Sequence, residues 1–415
     1  MNVLFLTIGR MEHIEEHALY TDLLRCFRDK GHNVYVVSSR EKRYGLPTEY
    51  VEESGVHVLR VKTGNITKCS AIEKGISTVL IGREYRSAIN QYLSNVKFDL
   101  ILYSTPPITF VNVVKYVKRR DGSKTYLLLK DIFPQNAVDL GMLNTRGLKS
   151  LPYRYFRKQE QKLYALSDRI GCMSKANVRY VIEHNPDLNP DTVEVCPNCV
   201  EVRDVSVTGE EKLEIRQKYG LPIDKKIFIY GGNLGKPQGV PFIIECLKRC
   251  EKIENAFFFI VGSGTEYKRL DTYVTQEKPR NVKLMKSIAK DEFDHMIAAC
   301  DAGLVFLDHR FTIPNFPSRI LSYMQAGLPI IAATDRSTDV GKVITDGAFG
   351  WWCESDDAGK FVELVRYALT EDLESVGKKG LQYLRTEYAV EKAYEIIMKG
   401  LDEHDEVVSK TLVFQ

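Results

Sequence analysis

No stretch of this chain approaches the ~18 consecutive apolar residues that a bilayer-spanning helix requires, so none of it is expected to cross a membrane. Its start, Met1-Asn2-Val3-Leu4-Phe5-Leu6, carries no basic residue, and the apolar run stops at Gly9-Arg10. That pattern reads as a core strand rather than a secretory leader and points to the cytoplasm. Cysteine forms no framework: there are nine, an odd number, scattered over the length. Only Cys196-Pro-Asn-Cys199 has a suggestive spacing. Without a second ligand pair or a thioredoxin-like setting, it reads as two reduced thiols at a strand end. No G-x-G-x-x-G follows the first strand, where Thr7-Ile8-Gly9-Arg10 stands instead, which argues against a dinucleotide-dependent oxidoreductase. No Asp-x-Asp lies near a strand end, so neither a metal nor another cofactor is expected. Internal repeats and low-complexity segments are missing as well.

What remains is a chain of ordinary globular composition, 44% hydrophobic and 27% charged. Its 415 residues exceed one ordinary core and suit two domains. Short apolar, β-branched runs alternate with helix-length amphipathic segments nearly throughout. In the first half the expected strands are Val3–Thr7, Val34–Ser38, Val56–Arg60, Leu100–Tyr103, Tyr126–Leu129, Ile170–Met173 and Val193–Cys196. In the second they are Ile227–Tyr230, Phe257–Val261, Val282–Met285, Gly303–Phe306, Pro329–Ala332 and Gly350–Trp352. Apolar runs without alternation suit strands covered by helices on both faces. Strands separated by helical patterns imply right-handed crossovers, hence α/β architecture with two doubly wound parallel sheets. The polar stretch near 200–212 marks the seam. The expected division is 1–203, 204–385 and a C-terminal helix, 386–415, packing back toward the N-terminal domain. Ligands of such sheets bind beyond the carboxyl ends of the strands, and two facing domains would place the site in a cleft between them.

Tyr230-Gly231-Gly232-Asn233-Leu234-Gly235-Lys236-Pro237-Gln238-Gly239 follows a strand and opens a helix. Glycines there let backbone N–H groups approach a phosphate, and the helix start favours negative charge. A tight βα turn with no ligand would look the same. Val261-Gly262-Ser263-Gly264 repeats the arrangement in the next βα unit, and adjacent strand ends line one crevice. Further on, Ser318 reads as an N-cap, Gly327 as the residue ending the helix, and Pro329 as its stop. Arg319 would then lie in the first turn, unfavourable for the helix dipole unless an anion is bound nearby. In the first half, Lys130-Asp131 ends a strand, as either a structural ion pair or a substrate contact.

These segments carry a resemblance. The chain resembles the family-4 retaining glycosyltransferases of the GT-B fold, and within them the bacterial capsule and O-antigen enzymes that transfer N-acetylated amino sugars. The resemblance rests on Tyr230–Gly235 with Gln238-Gly239, on Ile260–Gly264 with Leu270, and on Pro317-Ser318-Arg319 with Tyr323–Pro329. Lys130-Asp131-Ile132-Phe133-Pro134 with Gly141, and Pro197-Asn198-Cys199-Val200, carry it in the first half. There are departures. The family's two carboxylates spaced eight apart fall on Pro314 and Ser322, and its Arg and Lys on the first glycine loop fall on Asn233 and Gln238.

The resemblance implies transfer of a sugar from a nucleoside diphosphate, UDP above all, with retention and without a metal. The leaving diphosphate must be met by backbone amides, a helix start and a cation. Gly231, Gly232, the Ser318 helix start, and Arg319 or Lys236 are the expected providers. Asn233, Gln238, Gly262, Gly264, Asn315, Ser322 and Tyr323 complete the donor set, with the nucleobase near Lys286 and Ser287. Asp131, with Lys130, is the candidate for orienting the acceptor. Three other readings compete. A GT-B sugar-nucleotide 2-epimerase would need acids and a histidine in the cleft; a non-catalytic sugar-nucleotide binder fits the missing carboxylates; the oxidoreductase is disfavoured as above.

Charge is unevenly placed. Residues 1–200 hold 29 Lys and Arg against 21 Asp and Glu; taking these from the chain's 58 and 55 leaves 29 against 34. The basic half, net +8, is the one expected to meet the acceptor, a lipid-linked saccharide. Lys115, Lys118, Arg119, Arg120 and Lys124 cluster at one helix end, and Arg154, Arg157, Lys158 and Lys162 interleave with Tyr153, Tyr155, Phe156 and Tyr164. Basic residues beside aromatics suit an anionic membrane surface, peripherally bound. Solvated helix faces over core aromatics are the plainer alternative. Nucleic acid is not expected, because no recognition motif accompanies the mild basicity.

Overall fold

The computed structural model describes residues 1–67 and 69–413, and their side chains except at 71, 148 and 403–413. It divides into two compact units, Met1–Glu201 with the chain from Val390 onward, and Val202–Ala389. The division falls within the expected seam, two residues before the expected bound at 203. The last helix starts at Val390 rather than 386, after a separate helix Leu373–Glu387, and belongs to the first unit.

The first unit is built on eight strands: β1 Asn2–Leu6, β2 Asn33–Glu41, β3 Glu49–Glu53, β4 Val56–Thr63, β5 Leu100–Ser104, β6 Lys124–Leu129, β7 Arg169–Cys172 and β8 Val193–Val195. They lie in the order β3-β4-β2-β1-β5-β6-β7-β8, all parallel except for β3 against β4. Helices Ala71–Tyr92, Val111–Asp121 and Leu151–Leu166 cover one face through Leu6, Val37, Ile101 and Leu127. Helix Leu19–Asp29 and the final helix cover the other, through Val3, Phe5, Leu102 and Leu128. Burial on both faces is why these strands read as continuous apolar runs.

Strand β3 was not expected. Its sequence, Glu-Tyr-Val-Glu-Glu, has the weak signal of an exposed edge. Two of its glutamates hold it in place from outside the ladder: Glu49 accepts from Arg40 and Glu53 from Arg60, each at 2.7 Å, and both arginines are buried.

The second unit has six parallel strands: β9 Lys226–Asn233, β10 Ala256–Ser263, β11 Val282–Lys286, β12 Ala302–Phe306, β13 Ile330–Thr334 and β14 Gly350–Glu354. Their order is β11-β10-β9-β12-β13-β14. The chain winds outward one way from β9 and then returns to wind the other way from β12. The point of reversal, between β9 and β12, is where an open α/β sheet leaves a crevice at its carboxyl edge. Among the described residues, no helix is long and apolar enough to cross a membrane. All nine cysteines are free, and Cys196 and Cys199 are buried with their thiols pushed up by that burial.

Candidate active site

The β9 carboxyl end enters the crevice as Tyr230-Gly231-Gly232-Asn233. Gly232 has φ +123°, a conformation that side chains rarely tolerate. Past β12 the chain runs through 307–317 into the short helix Arg319–Gln325, which brings Arg319 back to β9. Its guanidinium lies over the Tyr230 ring, 4.4 Å from the centroid, and beside Gly232. The Tyr230 phenol is raised by burial, against the opposing pull of Arg319, and it donates to the Asn233 carbonyl at 2.6 Å. One guanidinium nitrogen, Nη1, is buried without a hydrogen-bond partner, and so is Asn315 Nδ2 on the same approach. Buried donors without partners are uncommon and call for an explanation. Two of them on one approach to a switch point leave unmet capacity to bind an acceptor-rich, anionic group.

Several expected contacts have a different role. Ser318 does not cap the helix: its backbone is already helical, φ −64° and ψ −20°, and its hydroxyl makes no capping bond. The turn tightens instead through Leu321 N–H to the Ser318 carbonyl, 3.0 Å. Gln238 is buried and braces the glycine loop, accepting from Asn233 Nδ2 at 2.9 Å and from Gly235 N–H at 3.1 Å. Tyr323 is buried beneath the loop, where its hydroxyl accepts from Gly231 N–H at 2.9 Å and burial pushes its phenol up. Both shape the loop rather than face the crevice. Gly262 and Gly264 are glycine because of close packing within the protein. A Cβ at Gly262 would lie 2.1 Å from the Gly232 carbonyl oxygen, and one at Gly264 2.4 Å from that of Leu234.

The remaining donor candidates keep accessible positions. Lys236 is exposed in the first turn after the glycine loop, and Lys286 is exposed at the end of β11. Ser287 Oγ stands 3.2 Å from Ser263 Oγ, joining the ends of β10 and β11. Ser322 is half-buried on the Arg319 helix. Gly327 ends that helix with φ +63°. Tyr230 went unassigned in the sequence reading, although an aromatic directly before Gly-Gly was visible. Asp308 was also missed. It is buried beyond β12, held below the usual carboxylate range by Arg310 against its own burial, and its N–H donates to the Pro237 carbonyl at 2.9 Å. It ties the β12 loop to the glycine loop.

In the first unit, Lys130 and Asp131 do not pair with each other. Lys130 Nζ donates to the carbonyls of Pro197 and Cys196, at 3.2 and 3.4 Å. Asp131 instead accepts from Asn136 Nδ2 at 2.7 and 2.9 Å. Burial raises its carboxyl to about 6, against the lowering effect of Asn136 and the Ile132 amide. Beside it, a cavity of about 260 Å³ is lined by Pro134, Tyr153, Glu160, Tyr180 and His184. Parts of the expected basic clusters are tied internally: Lys118 to Asp168 (2.7 Å), Arg120 to Asp121 and Arg157 to Glu160. One cluster with metal-ligand residue types, His17, Asp22 and Glu201, has Arg25 Nη2 within 3.0 Å of all three, so a guanidinium already holds them together.

Residues 211–382 match the family of glycosyl transferases group 1. The chain is 23% identical over 332 residues to WbjE of Pseudomonas aeruginosa, named as a glycosyltransferase, covering 78% of this chain and 80% of that one. It is 22% identical over 248 residues, 60% of either chain, to WcaI of Escherichia coli strain K12, named as a glycosyl transferase of colanic acid biosynthesis. Its fold matches that of HepE from Anabaena in complex with UDP, with a TM-score of 0.68 and 14% identity, over 97% of this chain and 100% of that one. Residues 211–382 are thus similar to the group 1 glycosyl transferases, and the two parallel-sheet α/β units, the second with its glycine loop and arginine at the switch point, are those of a glycosyltransferase of the GT-B fold.

Proposed function

We propose that the protein transfers a sugar, an N-acetylated amino sugar, from UDP to a lipid-linked saccharide, with retention. The product belongs to a cell-surface polysaccharide of the capsule or O-antigen type, built at the cytoplasmic face of the membrane. The observation that carries this reading is the Arg319 guanidinium, laid over Tyr230 beside Gly232 with a buried nitrogen unpartnered. A diphosphate at the switch point supplies the missing acceptor and takes the charge of the group that leaves. UDP is favoured by the HepE complex, and polysaccharide synthesis by the WcaI name. Arg319 and the exposed Lys236 meet the leaving diphosphate in place of a metal, with Asn315 binding beside them. Lys286 and Ser287 hold the base, and Ser322 with the Asn233 backbone borders the sugar.

In the transfer step the bond from the anomeric carbon to the diphosphate oxygen breaks as the acceptor oxygen bonds to the same face. The acceptor hydroxyl proton passes to the departing phosphate. Asp131, as a carboxylate, orients that hydroxyl. Radiolabelled UDP-sugars incubated with the protein and a membrane extract test the reading. Label in the lipid fraction is the expected result. An altered UDP-sugar would replace transfer with epimerisation, and retention of intact UDP-sugar without turnover would leave only binding.

A further inference from the structure

Helix Ala71–Tyr92 is apolar on two opposite faces. One, with Ile81, Tyr85 and Ile89, is fully buried over the first sheet. On the other, Ile72 is 77% exposed, Ile76 57%, Val79 45% and Leu80 39%. Steps of four, three and one residues keep these four within about 100° of arc and ~12 Å of axis. The other exposed large apolar side chains among the described residues are scattered, as is ordinary on a soluble surface. A four-residue stripe over a second, satisfied core face is not ordinary.

The same exposed face continues into Arg83 and Arg86. These line an open groove of about 740 Å³ with Lys115, Arg119 and Arg120 of the neighbouring helix Val111–Asp121. No acidic side chain lines it. Arg120 is occupied by Asp121, and Arg86 lies 4.4 Å over the Tyr116 ring. Arg83, Lys115 and Arg119 are exposed and form no ion pair among the described residues. Two acids flank the stripe on the same helix: Glu73, which accepts from Asn65 Nδ2 at 2.7 Å, and the half-buried Glu84. An apolar ridge beside a basic groove is the pattern of a helix lying in a membrane interface: side chains enter the acyl boundary while cations meet phosphates.

We infer that this face, Ile72, Ile76, Val79 and Leu80 with Arg83, Arg86, Lys115 and Arg119, docks the protein on an anionic lipid surface. The inference rests on the lipid-linked acceptor proposed above and names the element that reaches it. It also relocates the membrane contact. Of the residues expected from sequence, Lys115 and Arg119 belong to this face, Arg154, Lys158 and Lys162 are exposed on helix Leu151–Leu166, and Lys118, Arg120 and Arg157 already serve internal partners.

Sedimentation with vesicles of phosphatidylcholine, with and without phosphatidylglycerol, tests it. Wild type should pellet with the anionic vesicles and release partly as salt rises. Arg83→Glu with Arg86→Glu should weaken binding at least tenfold, since each cation near such a surface contributes about fivefold. Ile76→Asp with Leu80→Asp should weaken it similarly and lower the fraction that salt cannot release. Both variants should melt as wild type does and keep transfer to a water-soluble acceptor analogue. Wild-type binding by both variants, or no binding by wild type at any salt, would overturn the inference. So would a dimer in light scattering that Ile76→Asp dissolves, because the stripe would then be covered by a second copy. Vesicle binding that behaves as expected, without any transfer to lipid, would refute the proposed acceptor and leave the docking face standing.

Discussion

Replacing Arg319 by alanine separates what the guanidinium does for the fold from what it does for the donor. Without a nucleotide, two effects oppose one another. The variant loses a cation–π contact with Tyr230, worth about 0.5–2 kcal/mol at 4.4 Å. It also removes a buried donor with no partner, relieving a penalty of about 1–3 kcal/mol. The sum is near zero, and at roughly 2–4 °C per kcal/mol for a unit of this size the melting temperature should move by only a few degrees. With the donor present the balance changes. A charge-assisted contact that strengthens as the diphosphate departs is worth about ten- to thousandfold in turnover. UDP should raise the melting temperature of wild type by mass action and that of Arg319→Ala much less. Arg319→Lys should recover part of the turnover, since a point charge replaces a planar fork. Undiminished turnover in Arg319→Ala would refute this reasoning, and so would a collapse in melting temperature exceeding about 10 °C, which would make Arg319 a fold residue.

Asp131 should impose a pH dependence of definite sign. Its carboxyl lies at about 6 in the fold against 3.8 ordinarily, so the stability of its neutral form is complete below 3.8 and lost as pH rises through about 6. Asp131→Asn should therefore gain up to about 2–3 kcal/mol over wild type at pH 8 and nothing at pH 4, as read by urea melts. Turnover should move oppositely, rising through pH 6 in wild type as the carboxylate forms and staying low in the variant. Gly262→Ala drives a methyl toward the Gly232 carbonyl, with 2.1 Å between them, so it should cost about 1–3 kcal/mol and weaken UDP binding together. UDP affinity unchanged in calorimetry would disconnect the two loops. Ile397→Ala opens a cavity between the final helix and the first sheet, and a loss of about 2–5 kcal/mol is expected in denaturant unfolding. A neutral result would show that the helix does not complete that core.

Much of the architecture could be read before any coordinates. Phe5, Leu102, Ile229 and Val305 sit in unbroken apolar runs because helices cover both faces of their sheets. A doubly buried strand has no other way to be written. The exception, Glu49–Glu53, is an edge strand whose glutamates meet Arg40 and Arg60, and that pairing depends on groups up to 11 residues away in sequence.

Glycine after a strand marked Gly231 and Gly232 as a candidate loop, though a tight turn would read the same, and Arg319 stood out by its place in the first turn of a helix. Which way each neighbour points was not legible. Gln238 turns inward because Asn233 and Gly235 need an acceptor, and Tyr323 because the Gly231 amide, 92 residues earlier, needs one. Lys130 leaves Asp131 for two carbonyls that β8 and its following turn bring alongside. Helix Ala71–Tyr92 posed the same problem, since apolar residues on two opposite faces give no hint of which one the sheet covers. Local sequence sets an element's type through its periodicity, but the direction a side chain takes depends on partners that only the assembled sheet brings within reach.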